Sequence, residues 1–320
     1  MKQFLRFLAL ACLCGLAAAQ GYPSRPITIV VAYPAGGDTD AVARLLGEKL
    51  STRLGQPVIV DNRSGASGII GSSHVSKAPA DGYTLLLAPS TFAIAQFVLK
   101  TSGSTAYDVV NGFTPIIQTG SQPLFLATAG SVEAKSVKEL VAAAKTGSNM
   151  DYASPGSGSP MHVLGEIANK SMGVNFRQVP YKGVAPAMSD VLGSHVPLTY
   201  MTYGPLEPYV ANGKVRILAV ADKARSPLAP NVPTFAELGY AGIEVTAWNG
   251  LFGPKGMPAD IVKTLNTHVN EILKMPDVAA KFATLGVIPH GGAPDVLAKT
   301  SAGDFERFGR VIKEMGIKAD

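Results

Sequence analysis

Short β-branched runs and stripes of apolar residues at helical spacing alternate along the first third of this chain. Residues 27–33 form an apolar run rich in β-branched side chains, and apolar positions recur at helical spacing over 39–54. The first pattern predicts a buried strand, and the second predicts an amphipathic helix. Because this order repeats, we expect a parallel sheet with helices on both faces. The repeats are a strand at 58–61 with a helix near 69–77, and a strand at 84–88 with a helical run from Thr91.

A second series of strands and helices begins after the Gln122-Pro123 break. The same reasoning predicts a second α/β unit there. Its strands are expected at 124–128, near Tyr152 and at 176–179, 196–200 and 215–220, and its helices at 137–145, after Pro160 and at 186–192.

The last part of the chain, 258–320, is mostly helical, and a tail of this kind needs a surface to cover. The first sheet is the obvious surface, so we expect the chain to enter the second lobe near Ser121 and to return near Asn249. Domain 1 is then 20–121 with 249–320, and domain 2 is 122–248. Two crossings form a hinge, and the predicted fold class is α/β, with two lobes around a ligand cleft. The apolar stripe of the tail consists of Ile261, Leu265, Val269 and Leu273.

The first 19 residues have the pattern of a secretory signal peptide. Lys2 and Arg6 supply the charged start, 7–16 are almost wholly apolar, and alanines at 17–19 fit a cleavage site. The apolar run is too short to span a bilayer. Both cysteines, Cys12 and Cys14, lie inside it, so a mature chain would hold no disulfide and no thiol nucleophile. We therefore expect a protein exported to the periplasm.

The charge of the mature chain argues against nucleic acid as a partner. Removing Lys2 and Arg6 leaves 26 basic against 23 acidic residues, with no run of lysine or arginine. We expect a monomer.

The sequence lacks the motifs of the common catalytic and cofactor-binding classes. There is no G-x-S-x-G, no H-E-x-x-H and no phosphate-binding G-x-x-x-x-G-K-S/T. Gly156-Ser157-Gly158 comes nearest to a dinucleotide loop, but Met161 stands where its last glycine would be. The histidines lie scattered without ligand spacing, so we expect no cofactor, no metal and no catalytic residue. These histidines are His74, His162, His195, His268 and His290.

Four loops at strand ends carry small, hydroxyl-bearing or charged residues. The first, at 34–37, joins a strand to a helix through two glycines, which leaves backbone N–H groups bare at the positive end of that helix. In open α/β sheets ligands bind at the carboxyl ends of strands. Each loop is also compatible with an ordinary turn, but four of them, two from each lobe, predict a shared anion site across the cleft. The other three loops are 88–91, the glycine-serine loop 154–159 and 179–183.

The mature chain resembles, over essentially its whole length, the Bug-type substrate-binding receptors of tripartite tricarboxylate transporters. No single motif is specific, but the ordered set is. It consists of Tyr22-Pro23, Pro26-Ile27, PAGGDTD at 34–40 with Ala43-Arg44, Gly55-Gln56-Pro57, Asp61-Asn62-Arg63, residues 80–85, Phe113-Thr114-Pro115, residues 179–183, Leu218-Ala219-Val220, Val232-Pro233-Thr234 with Glu237, Trp248 with Gly250, and Gly316-Ile317-Lys318.

The resemblance implies a type II periplasmic binding protein that closes its lobes on a small carboxylate and delivers it to membrane permease subunits. Dicarboxylates, tricarboxylates, amino acids and aromatic acids all suit such a receptor. It also implies that backbone N–H groups and ordered waters hold the carboxylate, and none of the four loops contains an arginine. His162 is added as a candidate because it follows the glycine-serine loop. The ligand-binding residues expected in this way are Ala35, Gly36, Gly37, Asp40, Ser90, Thr91, Ser154, Gly156, Ser157, Gly158, Ser159, His162, Tyr181, Lys182 and Gly183.

Asp38 departs from the family, in which this loop position is more often small or uncharged. A carboxylate beside a predicted anion-binding site has two possible roles. It either caps the helix and points to solvent, which we favour, or accepts a hydrogen bond from an ammonium or hydroxyl group of the ligand. Two other functions stay open. One is a secreted hydrolase that uses His162 or His195 with a serine of the glycine-serine loop, and the other is a periplasmic sensor.

Overall fold

A computed structural model describes residues 21–99, 106–147 and 150–318, so the predicted signal peptide lies outside the described residues. The strands are β1 (Ile27–Val31), β2 (Val58–Asn62), β3 (Thr84–Pro89), β4 (Phe113–Ala129), β5 (Asp151–Ser154), β6 (Arg177–Pro180), β7 (Leu198–Thr202), β8 (Val215–Val220), β9 (Thr246–Pro254) and β10 (Ile288–Pro289). The helices are α1 (Asp38–Leu54), α2 (Ile69–Ser76), α3 (Thr91–Val98), α4 (Val137–Lys145), α5 (Pro160–Met172), α6 (Val184–Leu192), α7 (Tyr203–Val210), α8 (Ala259–Leu273), α9 (Pro276–Thr284) and α10 (Pro294–Met315), with a 3-10 turn at Ala66–Gly68.

The strands lie in the order β2-β1-β3-β9-β4-β7-β5-β6, and β8 and β10 also pair with β4. At one end β1 pairs in parallel with β2 and β3, and at the other end β5 pairs in parallel with β6 and β7. We call these ends, with their helices, the first and second lobes. The predicted α/β fold class with two lobes is confirmed.

The long strand β4 and its antiparallel partner β9 join the two lobes. β9 pairs with β3 of the first lobe, whereas the end of β4 pairs with β7 and β8 of the second. The predicted crossing points lie side by side here, because Gly120 pairs with Asn249 and Ser121 with Trp248. Paired strands of this kind suit a two-strand hinge. The domain boundaries themselves, 20–121 with 249–320 and 122–248, stay a prediction.

Helices cover both faces of each lobe, as the strand-helix alternation predicts. In the first lobe α1, α8 and α9 pack on one face through buried residues such as Leu46, Leu265 and Phe282. The other face of that lobe packs α2 and α3 through Val75 and Phe92. In the second lobe α4 and α5 cover one face, and α6 and α7 cover the other.

The helical tail covers more than the first sheet. Leu297, near the start of α10, packs in the first lobe. Phe308 and Ile312, further along the same helix, pack with Leu124 and Tyr152 of the second lobe. The last helix therefore spans both lobes. Among the helices of the described residues, none combines the length and the apolar character that a membrane crossing requires.

Candidate ligand-binding cleft

A cavity of about 280 Å³ lies between the two lobes, a volume suited to a small molecule. Of the expected binding residues, Ala35, Gly36, Gly37, Asp40, Ser90, Thr91, Gly156, Ser159, Lys182 and Gly183 line it. All four candidate loops thus contribute to one cavity, while their contact with a ligand stays a prediction. The full lining consists of 33–40, Ser67, 89–91, Gln122, Pro155, Gly156, 159–161, 182–186, Thr202 and Ala247.

Four helices begin at this cavity, because α1, α3, α5 and α6 each follow one of the candidate loops. Gly37 and Gly183 precede α1 and α6 and have no side chain to cap them. Ser90 precedes α3 without capping it, and its hydroxyl accepts the Trp248 N–H at 3.4 Å instead. Ser159 does cap α5, through the His162 N–H at 3.2 Å. The open first turns of α1, α3 and α6 therefore offer N–H donors to an anion.

Asp40 holds the first loop in shape. Its carboxylate accepts the Gly36 N–H, the Arg44 Nε and the Asn62 side-chain amide, each at 2.9 Å. Burial raises the pKa of Asp40, but these hydrogen bonds and the Arg44 charge outweigh burial, so the pKa is lowered. Asp40 lines the cavity with a carboxylate that is already occupied, and any direct contact with a ligand stays a prediction.

Asp38 does not cap α1 or point to solvent, so the interpretation we favoured from the sequence is wrong. Its Oδ2 accepts hydrogen bonds from Thr202 Oγ1 at 2.9 Å and from Gln122 Nε2 at 3.3 Å. Thr202 ends β7 of the second lobe, so the side chain reaches across the cleft. Burial raises the pKa of Asp38 above its usual value, against the lowering effect of these two hydrogen bonds and of one from its own backbone N–H.

Within the glycine-serine loop Pro155, Gly156 and Ser159 line the cavity, and of these Gly156 and Ser159 are expected binding residues. Ser154 is buried and its Oγ accepts the Gln178 side-chain amide at 2.7 Å. His162 is also buried, and its Nδ1 accepts the Gly158 N–H at 3.2 Å, which fixes the loop. The Nδ1 of His162 is thus engaged by the backbone, and the Ser159 hydroxyl is engaged as the cap of α5.

Two further contacts connect the first lobe with the second beside this loop. Ser67 Oγ donates to the Ser157 carbonyl oxygen at 2.9 Å, from the first lobe to the second. Gly158 lies against Ala95, where an added Cβ would stand 3.0 Å from the Ala95 Cα. Ser67 itself has a left-handed φ of 49°, and Tyr33 supports this turn by donating to the Ser67 carbonyl at 2.9 Å. The two lobes are thus in direct contact around the cavity.

Tyr181 and Lys182 point in different directions. The Tyr181 hydroxyl donates to Asp190 on α6, and burial together with this hydrogen bond raises the pKa of Tyr181 to about 12. Tyr181 therefore stabilises the loop through its hydrogen bond to Asp190 and does not line the cavity, whereas Lys182 and Gly183 line it. Lys182 is exposed at the rim. His195 lies at 3.5 Å from Asp190 on an exposed surface and is not part of the lining.

Several lining residues escaped the sequence reasoning. Thr202 ends β7 and lies two residues beyond the strand predicted at 196–200. A hydroxyl just after a predicted strand is the same signal that Ser90 carries. Gln122 and Ala247 lie close to the predicted crossing points but on strands β4 and β9, whose pairing the pattern did not show. Met161, Val184 and Ala185 give the cavity an apolar wall, and apolar residues at the start of a helix carry no distinctive signal.

Comparisons with known proteins agree with this geometry. The model of the tripartite tricarboxylate transporter family receptor matches residues 42–317. Protein BugT of Bordetella pertussis is 36% identical over 313 residues, which cover 98% of this chain and 96% of BugT.

Two solved structures share the fold over nearly their whole length. A protein of R. palustris solved with adipate, Rpa4515, has a TM-score of 0.85 at 34% identity, covering 92% of this chain and 98% of that protein. MatC from Rhodopseudomonas palustris with bound malate has a TM-score of 0.83 at 30% identity, covering 91% and 100% of the two chains. The matched family is one of transporter receptors, and not one of enzymes. The chain belongs to the tripartite tricarboxylate transporter receptor family.

Proposed function

We propose that this protein is a periplasmic receptor that closes its lobes on a small carboxylate and delivers it to the membrane permease subunits of a tripartite tricarboxylate transporter. The observation that carries the proposal is the convergence of the starts of α1, α3, α5 and α6 on one cavity between the lobes. Three of these helices have open first turns. Family membership and the carboxylates named for two neighbours, adipate and malate, support the same ligand class.

The residues that line the cavity explain how a carboxylate would be bound. Backbone N–H groups at a helix start form charge-assisted hydrogen bonds with a carboxylate, and the helix dipole adds to them. Met161, Val184 and Ala185 supply apolar contact for the carbon chain of the ligand. Micromolar affinity needs about −8 kcal/mol in total, which a few such hydrogen bonds with partial apolar burial provide.

Closure is a shift between open and closed populations. A ligand that contacts both lobes stabilises the closed form by its differential affinity for that form. Gly158 tests this point, because it has a φ of +76° and an added Cβ would meet Ala95 of the first lobe. We expect Gly158→Ala to weaken ligand binding by tenfold or more and to keep the scattering radius at that of the open form. Gly213→Ala is the matched control, because Gly213 also has a left-handed φ, of +70°, and nothing lies within 4 Å of its Cβ position.

Calorimetric titration with succinate, glutarate, adipate, malate and glutamate, followed by small-angle scattering, is the direct experiment. We expect saturable binding of at least one acid without chemical change, and a smaller radius of gyration in its presence. Absence of binding by all five acids, or conversion of a bound acid to another compound, would overturn the proposal. An unchanged scattering radius with a bound ligand would contradict lobe closure alone.

Native mass spectrometry of protein taken directly from cells tests the remaining parts. We expect a monomer whose chain begins after Ala19, with a retained acid released at low pH. Uptake of the identified acid should then be lost on deletion of the receptor and restored by its expression with the cognate permease. Normal uptake without the receptor would favour the sensor alternative, in which the closed form signals to another membrane protein.

A further inference from the structure

Asp38 places a carboxylate in the wall of the cavity with no cation beside it. Its donors are the Thr202 hydroxyl at 2.9 Å, the Gln122 amide at 3.3 Å and its own backbone N–H, and all three are uncharged. Among the ion pairs of the described residues, none includes Asp38. A carboxylate in such surroundings has lost part of its hydration without gaining a counter-charge.

The side chains behind Gln122 fix the direction of its amide. Thr39 Oγ1 donates to Asn249 Oδ1 at 3.4 Å, and Asn249 Nδ2 donates to Gln122 Oε1 at 3.0 Å. Since the Gln122 carbonyl oxygen is thereby occupied, its NH2 group faces Asp38. This series of hydrogen bonds ends at Asp38 Oδ2. Donors that point at the carboxylate stabilise its ionised form, but they do not neutralise its charge.

The other charged groups that line the cavity do not supply the missing charge. Asp40 is itself anionic and is paired with Arg44, whose side chain is 53% exposed. Lys182 lies exposed at the rim. Met161 and Val184, in the first turns of α5 and α6, add apolar side chains to the wall. A negative group with open donors on one side and apolar residues on the other suits a ligand that brings its own positive charge.

We propose that Asp38 makes this receptor selective for small carboxylates that also carry an ammonium group, which hydrogen-bonds to Asp38 while the carboxylate binds at the helix starts. This inference rests on the proposed function and names its ligand class. The ammonium gives Asp38 the counter-charge that Thr202 and Gln122 lack. A diacid without an ammonium would instead bring a second negative charge towards Asp38, and like charges in a partly apolar site repel.

The test compares acids that share a carbon chain and differ in one substituent. Succinate, malate and aspartate form one series, and glutarate, 2-hydroxyglutarate and glutamate form the other. Affinities are measured by calorimetry for the wild type, for Asp38→Asn and for Asp61→Asn as control. Asp61 lies on β2 in an exposed pair with Arg63 and does not line the cavity. The asparagine at 38 keeps an oxygen that accepts the Thr202 hydrogen bond, and thermal unfolding confirms that each variant is folded.

We expect the wild type to bind the amino acid of a series at least tenfold more tightly than the unsubstituted diacid. Asp38→Asn should lose at least tenfold for the amino acid and bind the diacid as well as or better than the wild type, while Asp61→Asn changes neither by more than twofold. Equal binding of the hydroxy acid and the amino acid by the wild type, preference for the diacid, or an unaffected Asp38→Asn variant would overturn the inference and leave the receptor function standing. Failure of all six acids to bind would overturn both.

Discussion

The first turn of α1 carries two carboxylates two positions apart and gives them opposite surroundings. Asp40 turns back to its own lobe, where Arg44, one helical turn ahead, provides a charged partner at 2.9 Å. Asp38 turns across the cleft, where its side-chain partners, Thr202 and Gln122, are both uncharged. Residues at i and i+2 of a helix point to different sides. A single turn can therefore place one carboxylate beside a cation of its own lobe and the other across the cleft.

The pKa shifts of the two groups express the same difference. The pKa of Asp40 is lowered, because hydrogen bonds and the Arg44 charge outweigh its burial. The pKa of Asp38 is raised, because burial outweighs the hydrogen bonds from Thr202 and Gln122. A carboxylate with a fixed cation stabilises the loop that presents the binding N–H groups. A carboxylate with none stays available to a ligand, at a cost in stability.

Removal of the Asp40 carboxylate should have the largest effect on stability. We expect Asp40→Ala to lower the free energy of unfolding by about 2 to 3 kcal/mol at neutral pH, because the Gly36 N–H, Arg44 and Asn62 lose a shared charged acceptor. A lowered pKa contributes stability above the unfolded-state pKa and loses it as pH falls through the folded value. The deficit should therefore shrink in acid, as measured by denaturant unfolding at several pH values.

The exposed pair of Asp295 and Lys299 on α10 provides the control, since it has the same i,i+4 spacing with side chains 63% and 81% exposed. Asp295→Ala should leave the free energy of unfolding almost unchanged, because an exposed ion pair contributes little. Equal losses for the two variants would mean that Asp40 acts as one more helix-surface charge.

Asp38→Asn should change stability in the opposite direction. Because the folded-state pKa of Asp38 is raised, the native protein binds the proton more tightly, and its stability falls as pH rises from the unfolded to the folded pKa. Above that window the ionised carboxylate is a cost, so the neutral amide should stabilise the ligand-free protein by about 1 kcal/mol. The gain should vanish below the unfolded-state pKa. Destabilisation at neutral pH as large as that of Asp40→Ala would remove the contrast between the two groups.

These two side chains also show where the sequence stopped being informative. The loop, its glycines and the helix after it follow from local patterns, and so does the convergence of four such loops on one cleft. The ion-pair partner of Asp40 could be predicted from the sequence, because Arg44 lies at i+4 on the same helix. The partners of Asp38 were not, because Gln122 and Thr202 lie more than 80 positions away, and only the pairing of strands brings them near.

The elements of the fold also separate into those that the sequence pattern predicts and those that it does not. Strands β1 to β3 and the other helices of both lobes appear in the pattern of apolar positions, whereas β9, the first part of β4 and helix α7 do not. Pro115 and Pro123 interrupt β4, and glycines 250 and 253 interrupt β9, although both are strands. Pro205 and Pro208 likewise lie within α7. Long-range pairing overrides local propensity at these positions.

A smaller effect is expected where the second lobe meets Asp38. Thr202→Val keeps the shape of the side chain and removes the 2.9 Å hydrogen bond to Oδ2, which should lower the free energy of unfolding by about 1 kcal/mol. In the Asp38→Asn background the same substitution should cost less, because the acceptor is then uncharged. A double-mutant cycle by denaturant unfolding measures this coupling. Strictly additive effects would mean that the threonine and the carboxylate act independently.

The smallest effect concerns the cation of Asp40. Arg44→Gln removes the charge that helps to lower the pKa of Asp40 but leaves the Gly36 and Asn62 hydrogen bonds in place. The pKa of Asp40 should therefore move towards its ordinary value, which lowers the stability at neutral pH and raises the pH at the midpoint of acid unfolding. The matched substitution Lys299→Gln removes an exposed cation at the same i+4 spacing from Asp295 and should leave that midpoint almost unchanged. If Arg44→Gln also leaves it unchanged, backbone and amide donors alone hold Asp40 ionised. The two carboxylates of this turn would then differ only in the number of their donors and not in charge pairing.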